Sequence, residues 1–271
     1  IGMFVVIGLM PLGIYGSGVA TGTLKTWMES GQGFEPNLGQ VGDFEGRRVD
    51  KVLFCARDNW LGIFVTDKGV SYVIYKPEKS CDETAILDSS HLRFIHSSRL
   101  HNDSLHWARI DVELVNGSIH KSKVVYEDEL PGYTNYYLSH CPDGILYVKS
   151  YRKVRIKEIY PGIDWVFKYE DGRLHHEFEV LPGADVGRIK INVKYADIEI
   201  SSDGRRLIYA TPLGRIEDGE ILAVAEGERV GATYRIEGGL IGLDIKNWSK
   251  KNKLIIDPPL SLLWGTYYGG S

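Results

Sequence analysis

The chain has 271 residues, of which 43% are hydrophobic and 25% are charged, and its formal net charge is −4. This composition is typical of a folded protein with one large domain or two modest ones, and it excludes a largely disordered chain. The slightly acidic balance gives no whole-chain case for nucleic acid, which usually requires a basic face, so we expect no nucleic-acid partner.

The first 24 residues are apolar and contain no charged side chain; Lys25 is the first. Gly18 and Ala20 are small residues at the −3 and −1 positions of a cleavage site after Ala20. We predict that residues 1–24 form an apolar signal helix, either a cleaved signal peptide or an uncleaved membrane anchor; a buried core helix is the remaining alternative. The protein is then exported, extracellular or at the cell surface, and meets a membrane only through this segment.

After a segment rich in turn residues, the hydrophobic pattern has a period of two almost throughout. Val49–Cys55, Leu61–Thr66 and Val70–Tyr75 are predicted strands, and Asp67-Lys68-Gly69 predicts a hairpin turn between the last two. A further alternating stretch over 105–115 ends at an Asn-Gly turn. The chain therefore begins its folded part as a series of antiparallel strands.

The strongest strand signal lies between 144 and 169. Lys153, Arg155 and Lys157 alternate with apolar residues, so one face of this strand is basic. We interpret the stripe as a sheet edge whose lysines prevent edge-to-edge pairing; contact with an anionic polymer or lipid surface is the alternative. Pro161-Gly162 predicts a turn into the next strand.

The pattern predicts an all-β protein of about fifteen short strands, arranged as a large antiparallel β-sandwich. One sandwich and two sandwich lobes in series both fit, with Lys76–Ser90 as the best internal boundary. We place the sandwich domain at 33–259 and treat 260–271 as a separate segment, because Pro258 and Pro259 cannot continue a central strand.

Two carboxylates are the only candidates for catalysis. Asp164 and Glu177 lie on neighbouring predicted strands, and a facing pair of acids separated by about 5–9 Å is the arrangement that glycoside hydrolysis needs. The same pattern is more often a set of structural carboxylates, with Glu177 and Glu179 on one strand face and Phe178 on the other. We therefore assign no catalytic residue and keep the pair as weak candidates.

Metal and cofactor signals are weak. His175 and His176 are adjacent in a strand and point to opposite faces, so they cannot chelate together. Cys55, Cys81 and Cys141 are widely spaced, which leaves both one disulfide and three buried thiols open. No cofactor is expected; Ca²⁺ at a loop is an option without a motif to support it.

Six phrases occur in an order that resembles the N-terminal domain of exported bacterial proteins with seven-bladed β-propeller (SBBP-type) repeats. They are FEPNLGQ (34–40), ELPGYTNYYLS (129–139), VRIKEIYPGIDWVFKY (154–169), FEVLPGADVGRIKI (178–191), TPLGRI (211–216) and LIIDPPLSLLWGTYYGGS (254–271). The resemblance covers roughly 33–271. The chain departs from the pattern around Cys141, where HCPDGILYVKS replaces a more polar stretch.

The resemblance implies a non-enzymatic module that precedes propeller repeats and serves in interaction, adhesion or scaffolding. Residues 260–271 would then begin the first propeller repeat, and the partners would be those repeats of the same chain and surface glycans or proteins. Two rival functions remain open. One is a carbohydrate-binding or carbohydrate-cleaving domain that uses Asp164 and Glu177, which the aromatic content also favours. The other is a purely structural cap for the propeller.

Overall fold

The computed structural model describes residues 15–19, 33–43, 46–58, 61–77, 104–170, 173–258 and 260–263. These residues form strands β1 (Tyr15–Val19), β2 (Glu35–Pro36), β3 (Val52–Asp58), β4 (Leu61–Thr66), β5 (Gly69–Pro77), β6 (Ser104–Leu114), β7 (Val124–Glu129), β8 (Thr134–Leu138), β9 (Cys141–Val148), β10 (Tyr151–Tyr160) and β11 (Ile163–Glu170). They continue as β12 (Arg173–Val180), β13 (Lys190–Lys194), β14 (Asp197–Ile200), β15 (Leu207–Thr211), β16 (Gly214–Asp218), β17 (Leu222–Ala225), β18 (Glu228–Glu237), β19 (Leu240–Lys246), β20 (Leu254–Asp257) and β21 (Leu260–Leu263). Lys121–Lys123 and Val186–Arg188 are single 3₁₀ turns.

Most strands belong to one long antiparallel sheet. Its order is β2-β3-β4-β5-β6-β13-β19-β18-β17-β20-β12-β11-β10-β7. β18 joins the two halves, because its first residues pair with β17 and the rest pair with β19. The far ends also meet, since Phe34 and Tyr151 exchange backbone hydrogen bonds of 2.8 and 2.9 Å. The sheet therefore folds back on itself and encloses its own core.

The core lies between the two halves of this sheet. β11 points Trp165 and Phe167 inward, both almost fully buried, and Phe167 meets Phe54 of β3 with ring centroids 5.4 Å apart. Burying each of these aromatic side chains stabilises the fold by roughly 2–3 kcal/mol. The all-β, sandwich-like architecture predicted from the alternation is confirmed. The described strands surround one main core, so two lobes in series are not observed.

A second, smaller core covers the outer face of β3 to β6. The two-stranded β8–β9 sheet lies over this face and buries Tyr136, Leu138 and Val148. They pack with residues of the strands beneath, including Phe64 and Trp107. β4 is consequently buried on both sides along its whole length, which explains why its sequence reads as a continuous apolar run.

Two hairpin turns appear where the sequence predicts them. Asp67 and Lys68 connect β4 to β5, and Pro161-Gly162 connects β10 to β11. Gly162 has a φ of +74°, which glycine adopts without the steric cost that a Cβ brings. The predicted boundary at Lys76–Ser90 separates no domains, because β5 and β6 on either side of 78–103 pair directly with each other; residues 78–103 themselves lie outside the described ranges.

A small sheet completes the domain. It has the order β14-β15-β16-β21, and Leu207, Tyr209 and Ile216 bury its inner side in the main core. The segment predicted to open a propeller repeat pairs here at the edge, with Leu262 opposite Ile216. Its remaining residues, 264–271, lie outside the described ranges, so the propeller assignment stays a prediction.

The predicted signal helix cannot be compared with the structure along most of its length, since residues 1–14 and 20–32 lie outside the described part. Its one described portion is β1, which pairs with β6. Within the described ranges, no helix is long and apolar enough to cross a membrane.

Candidate functional site

The two candidate acids lie on the face of the β11–β12 hairpin opposite to the one that carries Trp165 and Phe178. Asp164 lies opposite Glu179 and Val166 lies opposite Glu177, so both candidates share one face and are diagonal neighbours. His176 and Phe178 point into the core, as the strand alternation predicts. The structure therefore brings Asp164 and Glu177 onto the same sheet face.

Both carboxylates are held by cations. Asp164 accepts hydrogen bonds from the Arg155 guanidinium at 3.1 Å and from the Glu158 backbone amide at 2.8 Å. Glu177 lies 2.9 Å from the ammonium group of Lys168, and only 9% of its side chain is exposed. An acid–base pair for glycoside hydrolysis needs one carboxyl that stays protonated near neutral pH. Here both carboxylates are instead engaged by cationic side chains of neighbouring strands.

Arg155 is the centre of this charged network. Besides Asp164, its guanidinium donates to Glu127 at 3.1 Å and to Glu179 at 2.8 Å. Its side chain is 15% exposed, so these ion pairs are screened less than surface pairs. The network joins β7, β10, β11 and β12 across four neighbouring strands, which is the arrangement of a structural clamp.

The pKa shifts follow from these contacts. Burial by itself raises the pKa of Glu179, but the hydrogen bonds and charges of Arg155 and Lys253 outweigh it and lower the pKa to about 2. Burial lowers the pKa of Lys168, but its hydrogen bonds to Glu177 and Glu170 raise the pKa by more. The net shift is therefore upward. Glu179 and Lys168 are consequently charged at neutral pH.

The basic stripe is not a sheet edge, so that interpretation is wrong. β10 lies between β7 and β11, and β7 is the outer strand. Lys153 pairs with Glu127 at 2.7 Å, and Arg155 pairs with Glu127 on β7 and with Asp164 on β11. Lys153 and Arg155 are neutralised by partners that the local sequence does not reveal, whereas Lys157 is exposed.

A buried polar group that sequence reasoning missed lies inside the core. Trp165 donates its indole hydrogen to Nδ1 of His176 at 3.3 Å, and Asp218 lies 3.5 Å from Nε2 of the same ring. Tyr209 donates to Asp218 at 2.7 Å. Burial and then the charge of Asp218 raise the pKa of Tyr209 well above its usual value. These side chains are all buried, so the group stabilises the core.

An exposed tyrosine patch lies on the outer side of the β8–β9 sheet. We use this name for Tyr133, Tyr137, Leu146 and Tyr147, which are 55%, 45%, 43% and 63% exposed. The rings of Tyr133 and Tyr147 meet edge to face, with centroids 4.9 Å apart. The remaining large exposed hydrophobic side chains of the described residues are scattered over other elements.

The local backbone explains how so many apolar side chains reach the surface. The β8–β9 register shifts between Thr134 and Tyr136, and Tyr147 has a left-handed φ of +60°. Its backbone amide donates to the side chain of Asn135 at 2.8 Å. This irregular pairing exposes Leu146 and Tyr147 together, although adjacent strand residues ordinarily face opposite sides. Leu146 and Tyr147 lie in the segment where the sequence departs from the resembled pattern, whereas Tyr133 and Tyr137 lie in a phrase that follows it.

Metal and thiol chemistry find little support in this part of the chain. Among the described residues no group of three or more His, Cys, Asp or Glu side chains is placed to hold a metal ion. Cys55 and Cys141 are free thiols, and Cys81 lies outside the described ranges. Burial, with a further contribution from Glu35, raises the pKa of Cys55 to about 12, so this thiol is not a nucleophile at neutral pH.

Comparison with known families gives one match. A family model described as a domain of unknown function (DUF7948) matches residues 34–259. Neither the curated proteins nor the solved structures give a match. The matched segment contains every strand from β2 to β20, and so it includes the Arg155 network and the tyrosine patch.

Proposed function

The chain belongs to the DUF7948 family of domains of unknown function, and we propose that it is a non-enzymatic binding module of an exported, cell-surface bacterial protein with propeller repeats. The export and the repeats rest on the apolar first segment and on the six ordered phrases of the sequence. The binding role rests on the tyrosine patch. Single exposed apolar residues are ordinary, whereas a cluster of them marks an interaction surface.

We propose that the domain catalyses no hydrolysis, because both candidate acids form ion pairs in and beside the charged network. Asp164 and Glu177 have cationic partners at 3.1 and 2.9 Å. Both carboxylates are therefore already engaged in contacts between adjacent strands. The network resembles a clamp between strands more than a catalytic pair, so we place Asp164 and Glu177 among the residues that hold the sheet together.

The occupant that suits the tyrosine patch is a polysaccharide. Tyrosine rings stack against the C–H faces of sugar rings, and their hydroxyl groups hydrogen-bond at the edge of the contact. Three of the four patch residues are tyrosines, and the Tyr133–Tyr147 pair is fixed by ring contact before any ligand arrives. A preformed surface loses little conformational entropy on binding. Adhesion to a surface glycan is therefore the proposed activity.

A glycan array tests this proposal. The wild-type domain is expected to bind a subset of polysaccharides, and the double variant Tyr133→Ala/Tyr147→Ala is expected to lose at least about tenfold in affinity. A matched control is Tyr151→Ala, which removes a half-buried tyrosine outside the patch. Binding that is equally strong in the double variant, or a wild-type domain that binds only protein partners, would overturn the glycan assignment.

A further inference from the structure

A polar cleft opens on the outer face of the β4–β5–β6–β13 region, and its lining includes no residue of the tyrosine patch. Its volume is about 260 Å³. It is lined by side chains from the segment before β3, the β4–β5 turn and strands β5, β6 and β13, including Lys51, Asp67, Lys68, Arg109 and Tyr195. These residues are far apart in sequence, and only the folded sheet brings them together.

The cleft forms where one face of the β5–β6 pair changes from apolar to polar along the strands. The cross-strand pairs of β5 and β6 run from Tyr75–Trp107, which is buried under the β8–β9 sheet, to Ser71–Asp111 and Gly69–Glu113. Gly69 contributes no side chain at the polar end. A Cβ there would lie 2.1 Å from the carbonyl oxygen of Val112. The floor of the cleft is therefore backbone, with charged side chains around it.

The anionic side chains on β6 are already paired. Arg109 binds both carboxylate oxygens of Asp111 at 2.7 Å, and Ser71 donates to the same group at 2.6 Å. Lys194 lies 2.7 Å from Glu113. Lys51 and Lys68 are exposed and form no ion pair within the described ranges, where Asp67 is the remaining acid of the cleft. After pairing, the cleft keeps two cationic groups and one anionic group available to a ligand.

Tyr195 forms one aromatic wall of the cleft, and its backbone conformation is strained. It follows β13 directly, is 42% exposed and has a left-handed φ of +68°. The guanidinium carbon of Arg109 lies 5.9 Å from its ring centroid. A bulky residue in this conformation is uncommon, and such strain is often retained at ligand sites. Tyr195 lines the cleft with its ring, whereas a glycine here would relax the backbone but provide no ring.

We propose that this cleft binds a sugar that carries one carboxylate, a uronic-acid residue of a polysaccharide. Lys51 and Lys68 attract the carboxylate, Asp67 accepts hydrogen bonds from hydroxyl groups, and the Tyr195 ring packs against the sugar face. Asp67 also disfavours inorganic sulfate, which carries two negative charges and offers the carboxylate no hydrogen-bond donor. The proposal stands on the cleft alone and does not depend on the tyrosine patch.

Calorimetry with the whole chain tests the proposal, using trigalacturonic acid, its methyl ester and maltotriose as probes. The acid is expected to bind at least tenfold more tightly than the ester or the neutral sugar, and more weakly as salt increases. The variant Lys51→Gln/Lys68→Gln is expected to lose this preference. The variant Lys121→Gln/Lys157→Gln makes the same charge change at exposed positions outside the cleft and is expected to retain it.

A second variant separates binding from folding. Tyr195→Gly is expected to weaken binding of the acid at least fivefold while its melting temperature stays equal to or above that of the wild type. Tyr133→Ala/Tyr147→Ala is expected to leave binding of the acid unchanged, which distinguishes the cleft from the tyrosine patch. Equal affinity for acid and ester, equal affinity for inorganic sulfate, or full binding by the Lys51→Gln/Lys68→Gln variant would overturn the proposal.

Discussion

Replacing Arg155 by methionine tests whether the charged network is a structural clamp. The change keeps an unbranched apolar side chain that replaces most of the arginine stem, and it removes the charge and the hydrogen bonds to Glu127, Asp164 and Glu179. Each carboxylate keeps one other partner. Glu179 retains Lys253 at 2.6 Å, and Asp164 retains the backbone amide of Glu158. The variant is therefore expected to fold, with reduced stability.

The magnitude follows from the pKa of Glu179, which falls from 4.5 to about 2 in the folded protein. At about 1.4 kcal/mol for each pKa unit, this corresponds to about 3–4 kcal/mol of stabilisation, shared between Arg155 and Lys253. Glu127 and Asp164 add smaller amounts, and their partial exposure reduces every contribution. We expect Arg155→Met to lower the free energy of unfolding by about 2–3 kcal/mol at pH 7.

The pH dependence has a definite sign. Because the pKa of Glu179 is lower in the folded protein, the ionised group stabilises the fold above about pH 4.5, and this contribution is lost as the pH falls toward 2. Urea denaturation followed by tryptophan fluorescence should therefore show a smaller effect of Arg155→Met at pH 3 than at pH 7. Lys149→Ala, which breaks the exposed pair with Glu129, is the control and should cost at most about 0.5 kcal/mol. Equal losses in the two variants, or a loss independent of pH, would refute the clamp.

Three further predictions concern single positions. Gly162→Ala should destabilise the fold by about 2 kcal/mol in thermal denaturation, and this loss should exceed that of Gly183→Ala. Both glycines have a left-handed φ, but only at Gly162 would the new Cβ lie 3.0 Å from the Ala184 Cβ. Equal losses in the two variants would contradict this reasoning. Cys55 should resist alkylation by iodoacetamide at pH 8 until urea unfolds the chain, because burial raises its pKa to about 12. Mass spectrometry of the peptide that contains Cys55 would measure the alkylation. Rapid labelling of the native protein would argue against a buried thiol. Glu177→Gln should leave glycan binding unchanged and produce no difference in a hydrolysis screen, whereas turnover lost in this variant would restore the glycosidase hypothesis.

The strands and turns could be predicted because their causes are local. Alternation over β11 places Trp165 and Phe167 inward without knowledge of the partner strand. Asp67-Lys68-Gly69 and Pro161-Gly162 encode turns within three residues. These signals depend on the backbone of the segment itself, so tertiary packing does not override them.

The candidate surfaces could not be predicted in the same way. The basic stripe on β10 reads as an edge because its partner carboxylate Glu127 is distant in sequence. The tyrosine patch depends on a register shift that exposes Leu146 and Tyr147 together. The cleft joins Lys51 to Tyr195 through strand order. A single sequence lists these residues but does not show which of them come into contact in the folded protein.

The central claim, that this domain binds a glycan without cleaving it, is tested most directly by one calorimetric titration with recovery of the glycan. The wild-type chain would be titrated with the best ligand from the array, and the chain length of the recovered polysaccharide would then be measured by mass spectrometry. We predict saturable binding that is lost in Tyr133→Ala/Tyr147→Ala, with the polysaccharide recovered intact. A shortened polysaccharide, or unchanged affinity in the double variant, would contradict the account.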